Sequence, residues 1–314
     1  MRGVSPELER CAASLAAALP GLVERDAPLG ALTTYRVGGP AAVLVRVQTA
    51  GQLEAVAEAV RACRPQVLIV GHGSNLLVAD EGFRGVAVLL EDEFEAIDLA
   101  DADAGTVRAG GAVPLPVLAR RTASAGLTGL EFFVGIPGSV GGAVRMNAGG
   151  HGRDTREVLR SAEVVDLLGD GTVTARDPAA LALGYRESAI GSGEVVVAAT
   201  FAVDRDDPAA CEARVAEIVR WRREHQPGGS NAGSVFRNPD GDAAGRLVEA
   251  CGLKGRRHGC AVVSEKHANF IQADAGATAA DVDALIREVQ AVVAARTGVE
   301  LVPEVHRVGF EDVS

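Results

Sequence analysis

Aromatic residues make up only 4% of this 314-residue chain, too few for the stacking platforms that hold single-stranded bases. A cationic surplus is missing as well. Lys+Arg total 31 against 42 Asp+Glu, a formal net charge of -11, so the molecule as a whole repels phosphate backbones and anionic membrane surfaces. No nucleic-acid partner and no membrane partner is expected. The five cysteines, Cys11, Cys63, Cys211, Cys251 and Cys260, are odd in number and form no CxxC pair, which argues against a disulfide framework or a zinc site and for reduced thiols in a cytoplasmic protein. No apolar run reaches the length of a membrane span, and Glu7, Glu9 and Arg10 interrupt the apolar positions of the first segment. The six histidines, His72, His151, His225, His258, His267 and His306, show neither HxxxH nor HExxH spacing. No metal site is expected.

What is present is an ordinary globular composition, 47% hydrophobic and 23% charged, long enough for about two domains. Ser5 and Pro6 supply a cap and a first helical position, and Leu8, Leu15 and Leu19 share a face, so residues 5–19 predict an amphipathic helix. Residues 41–47 predict a strand, 49–63 a helix and 67–70 a buried strand. Further strands are expected near 86–90 and 106–109, with a helix opened by Pro114 or Pro116 and closed by Gly126. A strand pair should flank the Gly169-Asp170-Gly171 turn, and residues 194–203 predict a strong strand. Asp204 to Pro208 has the composition of a linker. The remainder predicts helices at 208–225, 243–251 and 278–296, two short strands, and a terminal strand in which Val302, Val305 and Val308 alternate.

Two glycine-rich loops stand out. Gly71-His72-Gly73-Ser74-Asn75 follows the strand at 67–70, where open α/β structures place ligand-binding backbone. Structural uses of such turns outnumber phosphate sites, and neither a GxGxxG fingerprint nor a P-loop is present. The second loop, Gly135-Ile136-Pro137-Gly138-Ser139-Val140-Gly141-Gly142, enters a short helix. Free N–H groups there could face a pyrophosphate, or the glycines could serve close packing of a helix on a sheet. The run Gly184-Tyr185-Arg186-Glu187-Ser188, the loop Asn231 to Pro239 and the cluster Ser264 to Asn269 concentrate polar groups, each with a solvated turn as the plain alternative. No GxSxG nucleophile elbow occurs.

Taken together, TTYRVGGPA (33–41), VGHGSNLLVAD (70–80), GLEFFVGIPGSVGGAVRMNAGGHG (129–152), LGYRES (183–188), NAGSVFRNP (231–239), GLKG (252–255), VSEKHANFI (263–271) and LVPEV (301–305) resemble UDP-N-acetylenolpyruvoylglucosamine reductases, in the family's order and over nearly the whole chain. The resemblance implies an α+β fold: a two-lobed FAD-binding unit of the vanillyl-alcohol-oxidase (PCMH) type, with lobes at 1–85 and 86–206, and a substrate domain at 207–314 whose last strand could return to the first lobe. It implies FAD and NADPH as cofactors, a UDP-sugar enolpyruvyl ether as substrate, and a cytoplasmic setting in peptidoglycan precursor synthesis; a monomer is the default expectation. Arg186, Ser234 and Glu304 match the family's catalytic positions. Tyr185, Asn238, Lys254 and Lys266 match positions of substrate recognition. FAD would lie along Gly71, His72, Gly73, Ser74 and Asn75 and along Gly135, Ile136, Pro137, Gly138, Ser139, Gly141 and Gly142, with Tyr35, Arg36, Asn147 and Ala148 near the flavin.

Two departures from the family pattern matter. His72 stands where the family usually has glycine, and the only tyrosines are Tyr35 and Tyr185, which implies the shorter subgroup without a tyrosine capping loop. The competing readings are another FAD oxidoreductase of the same fold acting on an alcohol or sugar, and a nucleotide-sugar binding protein without catalysis. The first lacks a reason for NAGSVFRNP and PEV, and the second for the intact Arg, Ser and Glu set.

Overall fold

Helix starts are written in the side chains that precede them. The Ser5 hydroxyl accepts from the Leu8 N–H at 3.2 Å and opens α1, Pro6–Ala18. Thr49 and Gln52 exchange side-chain and backbone bonds in a capping box that opens α2, Ala50–Cys63, satisfying N–H groups that the helix itself leaves unpaired. α2 stops at Arg64, which takes the left-handed conformation.

The computed structural model describes residues 5–310, which group into two units. The first comprises the chain up to Asp26, Ala42–His72 and Arg84–Trp221. It holds a four-stranded sheet in the order Val23–Ala27, Ala41–Val47, Phe83–Leu90, Val67–Val70, with the last two parallel. It also holds a five-stranded antiparallel sheet in the order Val173–Arg176, Leu159–Asp166, Glu194–Ala202, Thr106–Gly110, Ile97–Asp98. The strand Glu194–Ala202 shows why its sequence reads as one apolar run. Successive side chains of a strand point to opposite faces, and here both faces are covered. Val195 and Val197 enter the core shared with α1, α2, Val43 and Val45, and Val196 enters a second core with Leu118, Phe133 and Val144. An irregularity in the ladder opposite Glu163 and Val164, where Val197 is the extra residue, shifts the alternation so that Ala199 and Phe201 join that second core as well.

That second core is closed by α3, Leu115–Ser124, by α4, Val140–Met146, and by α6, Pro208–His225, whose Cys211 and Val215 are buried in it; a single-turn helix α5, Thr155–Val158, precedes the strand Leu159–Asp166. The linker expected at 204–208 is not one. Asp204–Arg205 pairs antiparallel with Leu127–Thr128, the Asp206 N–H donates to Gly126 O, and Asp206 pairs with Arg214 at 2.6 Å. Polarity there reflects an exposed edge rather than a boundary.

The second unit comprises Ala27–Ala41, Gly73–Phe83 and the chain from Arg222. Its core gathers α7, Ala244–Ala250, α8, Ala279–Thr297, and the strands Ala261–Val263 and Ile271–Ala273 around Tyr35, Leu77, Val235 and Phe236. Segments far apart in sequence are joined by backbone. His306–Val308 pairs in parallel with Leu76–Val78, and the Asp80 carboxylate accepts from the Ala279 and Ala280 N–H groups at the start of α8, both at 2.9 Å. The terminal strand anticipated over Val302, Val305 and Val308 is confined to His306–Val308. Pro303 makes one isolated bridge, to Phe236, and without an N–H it cannot extend a ladder.

Candidate active site

The strand Val67–Val70 delivers the chain to Gly71, and a Cβ at Gly71 would lie 2.5 Å from Ser139 Oγ. Only glycine permits that approach. Ser139 caps α4, accepting from the Gly142 N–H at 3.3 Å, and a ring nitrogen of His72 lies 3.3 Å from Ala112 O. Gly71 and His72 therefore lie in one unit with the second glycine-rich loop, and Gly71, His72, Pro137 and Gly142 are exposed. The N–H groups expected to be free at the second loop are used inside the protein: Gly138 donates to Ile136 O, Val140 to Val113 O, Gly141 to Gly111 O and Gly142 to Ser139 Oγ. What that loop offers a dinucleotide is close backbone approach with little side-chain bulk.

The rest of the first loop belongs to the second unit. Gly73 has φ +61°, and its carbonyl accepts from the Thr34 N–H at 3.1 Å, which sets GHGSN against the Thr33-Thr34-Tyr35-Arg36 segment. Tyr35 is only 1% exposed and lies in the core; burial raises its phenol above the ordinary range. Its ring is therefore closed off from any ligand, and the expectation of a flavin contact there reduces to backbone. Arg36, at φ +57°, is exposed.

Arg186 occupies a left-handed turn, φ +58°. Its guanidinium donates to Asn147 O at 3.4 Å and Gly149 O at 3.0 Å and lies 5.2 Å from the centre of the Tyr185 ring. Asn147, 1% exposed, donates to Asp154 Oδ2 at 3.1 Å and Gly184 O at 2.8 Å, and its Oδ1 accepts from the Arg156 N–H at 2.9 Å. The Asn147 side chain thus braces the Gly184-Tyr185-Arg186 turn instead of pointing outward; Ala148, next to it, is half-buried.

Ser234 and Glu304 sit on neighbouring backbone in the second unit. The Glu304 N–H donates to Val235 O at 2.7 Å and the Arg237 N–H to Val302 O at 2.9 Å. Asn75 Nδ2 donates to Glu304 O at 3.1 Å, and the His306 N–H to Asn75 O at 2.9 Å. The loop read as cofactor-binding is therefore bonded directly to the Glu304 backbone.

The four residues expected to bind substrate are more dispersed. Tyr185 is exposed beside Arg186. Asn238 Oδ1 accepts from the Ala244 N–H at 3.0 Å, at the first residue of α7. Lys254 pairs with Glu249 at 2.8 Å, and Lys266 donates to Arg223 O. Asn269, which no site reading singled out, contacts the serine loop and is itself bonded to His267. The Phe236 N–H donates to Asn269 Oδ1 and the Asn269 N–H to His267 Nδ1 at 3.2 Å. Burial, with Lys254 nearby, holds His267 below its ordinary value, so that Nδ1 accepts. An internal asparagine between apolar residues was the available signal. Among the described residues no cluster of three or more His, Cys, Asp or Glu could hold a metal ion, and no helix is long and apolar enough to cross a membrane.

Residues 41–175 match the family described as an FAD binding domain, and residues 225–308 that of the UDP-N-acetylenolpyruvoylglucosamine reductase C-terminal domain. The chain is 44% identical over 292 residues to UDP-N-acetylenolpyruvoylglucosamine reductase of Alkalilimnicola ehrlichii, covering 92% of this chain and 96% of that protein. It is 45% identical over 297 residues to the Synechococcus sp. (strain WH7803) protein of the same name, covering 93% and 94%. The crystal structure of UDP-N-acetylenolpyruvylglucosamine reductase from Thermus caldophilus superposes with a TM-score of 0.79 at 37% identity, covering 91% of this chain and 98% of that one. With two family matches in tandem and this identity over nearly its whole length, the chain belongs to the UDP-N-acetylenolpyruvoylglucosamine reductases, FAD-dependent oxidoreductases of peptidoglycan precursor synthesis.

Proposed function

We propose that the protein reduces the enolpyruvyl ether of UDP-N-acetylglucosamine to UDP-N-acetylmuramate, with NADPH as electron source and Arg186, Ser234 and Glu304 as the catalytic side chains. When bound, FAD supplies the hydride that reaches the terminal methylene carbon of the substrate. The double bond is conjugated to a carboxylate, so negative charge spreads into that group as the carbon is attacked. Arg186, held by two backbone carbonyls, offers a forked cation to it. Ser234 delivers a proton to the adjacent carbon. A lone hydroxyl is a weak acid, but a carbanion beside a fixed cation is a strong base. Glu304 assists as a protonated carboxyl or through water, because a second anion would oppose the developing charge.

The observation that carries this reading is the 2.7 Å bond from the Glu304 N–H to Val235 O, which puts Ser234 and Glu304, separated by 70 positions in sequence, on adjoining backbone. FAD is assigned to the two glycine loops from Gly71 to Asn75 and Gly135 to Gly142, with Tyr35, Arg36, Asn147 and Ala148 contributing backbone or nearby surface. Tyr185, Asn238, Lys254 and Lys266 are assigned to the substrate. We assign the FAD-binding lobes to residues 1–85 and 86–206 and substrate binding to 207–314, in a cytoplasmic monomer of the shorter subgroup. Anaerobic spectra of Ser234→Ala test the roles. Bleaching of the yellow protein by NADPH should persist, while its recovery on adding the enolpyruvyl UDP-sugar should be lost. Equal loss of both steps would contradict the assignment.

A further inference from the structure

Asn269 is 4% exposed, and a buried primary amide must replace the water it loses with protein partners. It does so on one target. Nδ2 donates to Phe236 O at 2.8 Å, and Oδ1 accepts from the Phe236 N–H at 2.9 Å. The backbone carbonyl of Asn269 accepts from the Val235 N–H at 2.8 Å. A side chain that grips both polar groups of one residue does the work of a neighbouring strand.

From the other side the same segment is held by residues 302–304, through Val302 O to the Arg237 N–H and the Glu304 N–H to Val235 O. Ser234 therefore lies one residue before a peptide clamped on two sides. Before it stands a turn in which Gly233, at φ +74°, donates its N–H to Asn231 Oδ1 at 3.0 Å. Only a side chain of this length with one donor and one acceptor in a fork can make the grip. An aspartate keeps the acceptor and loses the donor.

We propose that Asn269 is a positioning residue for proton delivery: its amide sets the direction of the Ser234 hydroxyl and, through the Val235–Glu304 bond, the place of the Glu304 backbone. The inference rests on the reading of Ser234 as proton donor. A displacement of a reacting group by about 1 Å can cost about 100-fold in rate, so a loosened clamp acts on the step that uses the serine and spares the step that does not.

The test compares Asn269→Asp, Asn269→Ser and Ser234→Ala with the parent as FAD-loaded protein. Rapid mixing gives the rates of bleaching by NADPH and of recovery with the enolpyruvyl UDP-sugar, and melting temperature and amide exchange of the peptides covering 234–238 and 302–306 are read alongside. For Asn269→Asp, recovery should fall about 100-fold, with bleaching within about threefold of the parent and a larger solvent deuterium effect on recovery. Exchange should quicken in both peptides. Recovery should return as pH falls, because a protonated aspartic acid regains a donor for Phe236 O, while bleaching stays level over the same range; a purely structural loss would move both steps together. Asn269→Ser serves by the same ratio if the aspartate variant does not fold. The inference is overturned if recovery stays near the parent rate, or if bleaching and recovery fall together with the melting temperature. Normal recovery in Ser234→Ala would overturn the serine reading and this inference with it; an inactive Ser234→Ala beside a normal Asn269→Asp overturns the positioning role alone.

Discussion

A Cβ at Gly73 would meet Leu32 O at 2.4 Å and Thr33 Cα at 2.7 Å, at a φ of +61°. Backbone on both counts leaves nothing flexible to move aside. Gly73→Ala is therefore expected to cost about 1–3 kcal/mol and to lower the FAD retained through purification, measured by melting temperature and the absorbance ratio of flavin to protein. Gly152, where a Cβ meets nothing within 4 Å at φ +80°, is the control that carries conformational strain without the clash. The asparagines show a second principle at this scale. Asn75, Asn147 and Asn269 each bond backbone at, or two residues from, a residue proposed as catalytic: Asn75 at Glu304, Asn147 at Gly184 before Arg186, and Asn269 at Phe236 beyond Ser234. Their carboxamides combine donor and acceptor without charge, so they brace irregular loops in interior positions where a carboxylate would demand a counter-ion.

At the scale of elements, α6 shows how a polar face is tied down. Arg214 reaches from α6 to Glu131 at 2.9 Å, to Thr128 at 3.1 Å and to Asp206. Glu131, 7% exposed, also accepts from the Gly129 N–H at 2.8 Å. Burial by itself raises the Glu131 carboxyl, but the Thr128 hydroxyl, the Gly129 N–H and Arg214 outweigh it and leave it below its ordinary 4.5. A carboxyl depressed on folding adds stability above its unfolded value and loses it as pH falls through the folded value. Glu131→Gln should cost about 1–2 kcal/mol near neutrality, a figure already reduced for the exposure of Arg214. The gap to the parent should close in acid below pH 4.5, which urea unfolding at a series of pH values would show. Helix limits were readable from sequence because their causes are local: Ser5 and Thr49 are caps, and Pro114 and Pro116 sit at the opening of α3. The pairing of Asp204–Arg205 with Leu127–Thr128 was not, since a two-residue ladder leaves no periodicity to detect.

At the scale of the whole molecule, a net charge of -11 opposes the approach of NADPH and of a UDP-sugar, both anions. Screening weakens that repulsion: the Debye length shortens from about 30 Å at 0.01 M to about 8 Å at 0.15 M salt. The KM for NADPH is accordingly expected to fall as potassium chloride is raised over that range, with kcat little changed, in steady-state assays. A KM that rises instead would mean that local cations such as Arg186 dominate the encounter.

The sequence by itself determined what depends on neighbours along the chain: the caps, the strand runs, the two glycine loops and the ordered motifs that mark the family and its three catalytic candidates. Tertiary structure alone decided which distant pieces share a core. Residues 27–41 and 73–83 group with the chain from Arg222, Tyr35 is a core residue, Asp80 caps a helix 199 positions away, and Asn269 grips the serine loop. The physical reason is range. A cap or a turn is settled by atoms within a few residues, whereas a buried amide or carboxylate acquires its meaning only from the partner that folding brings to it.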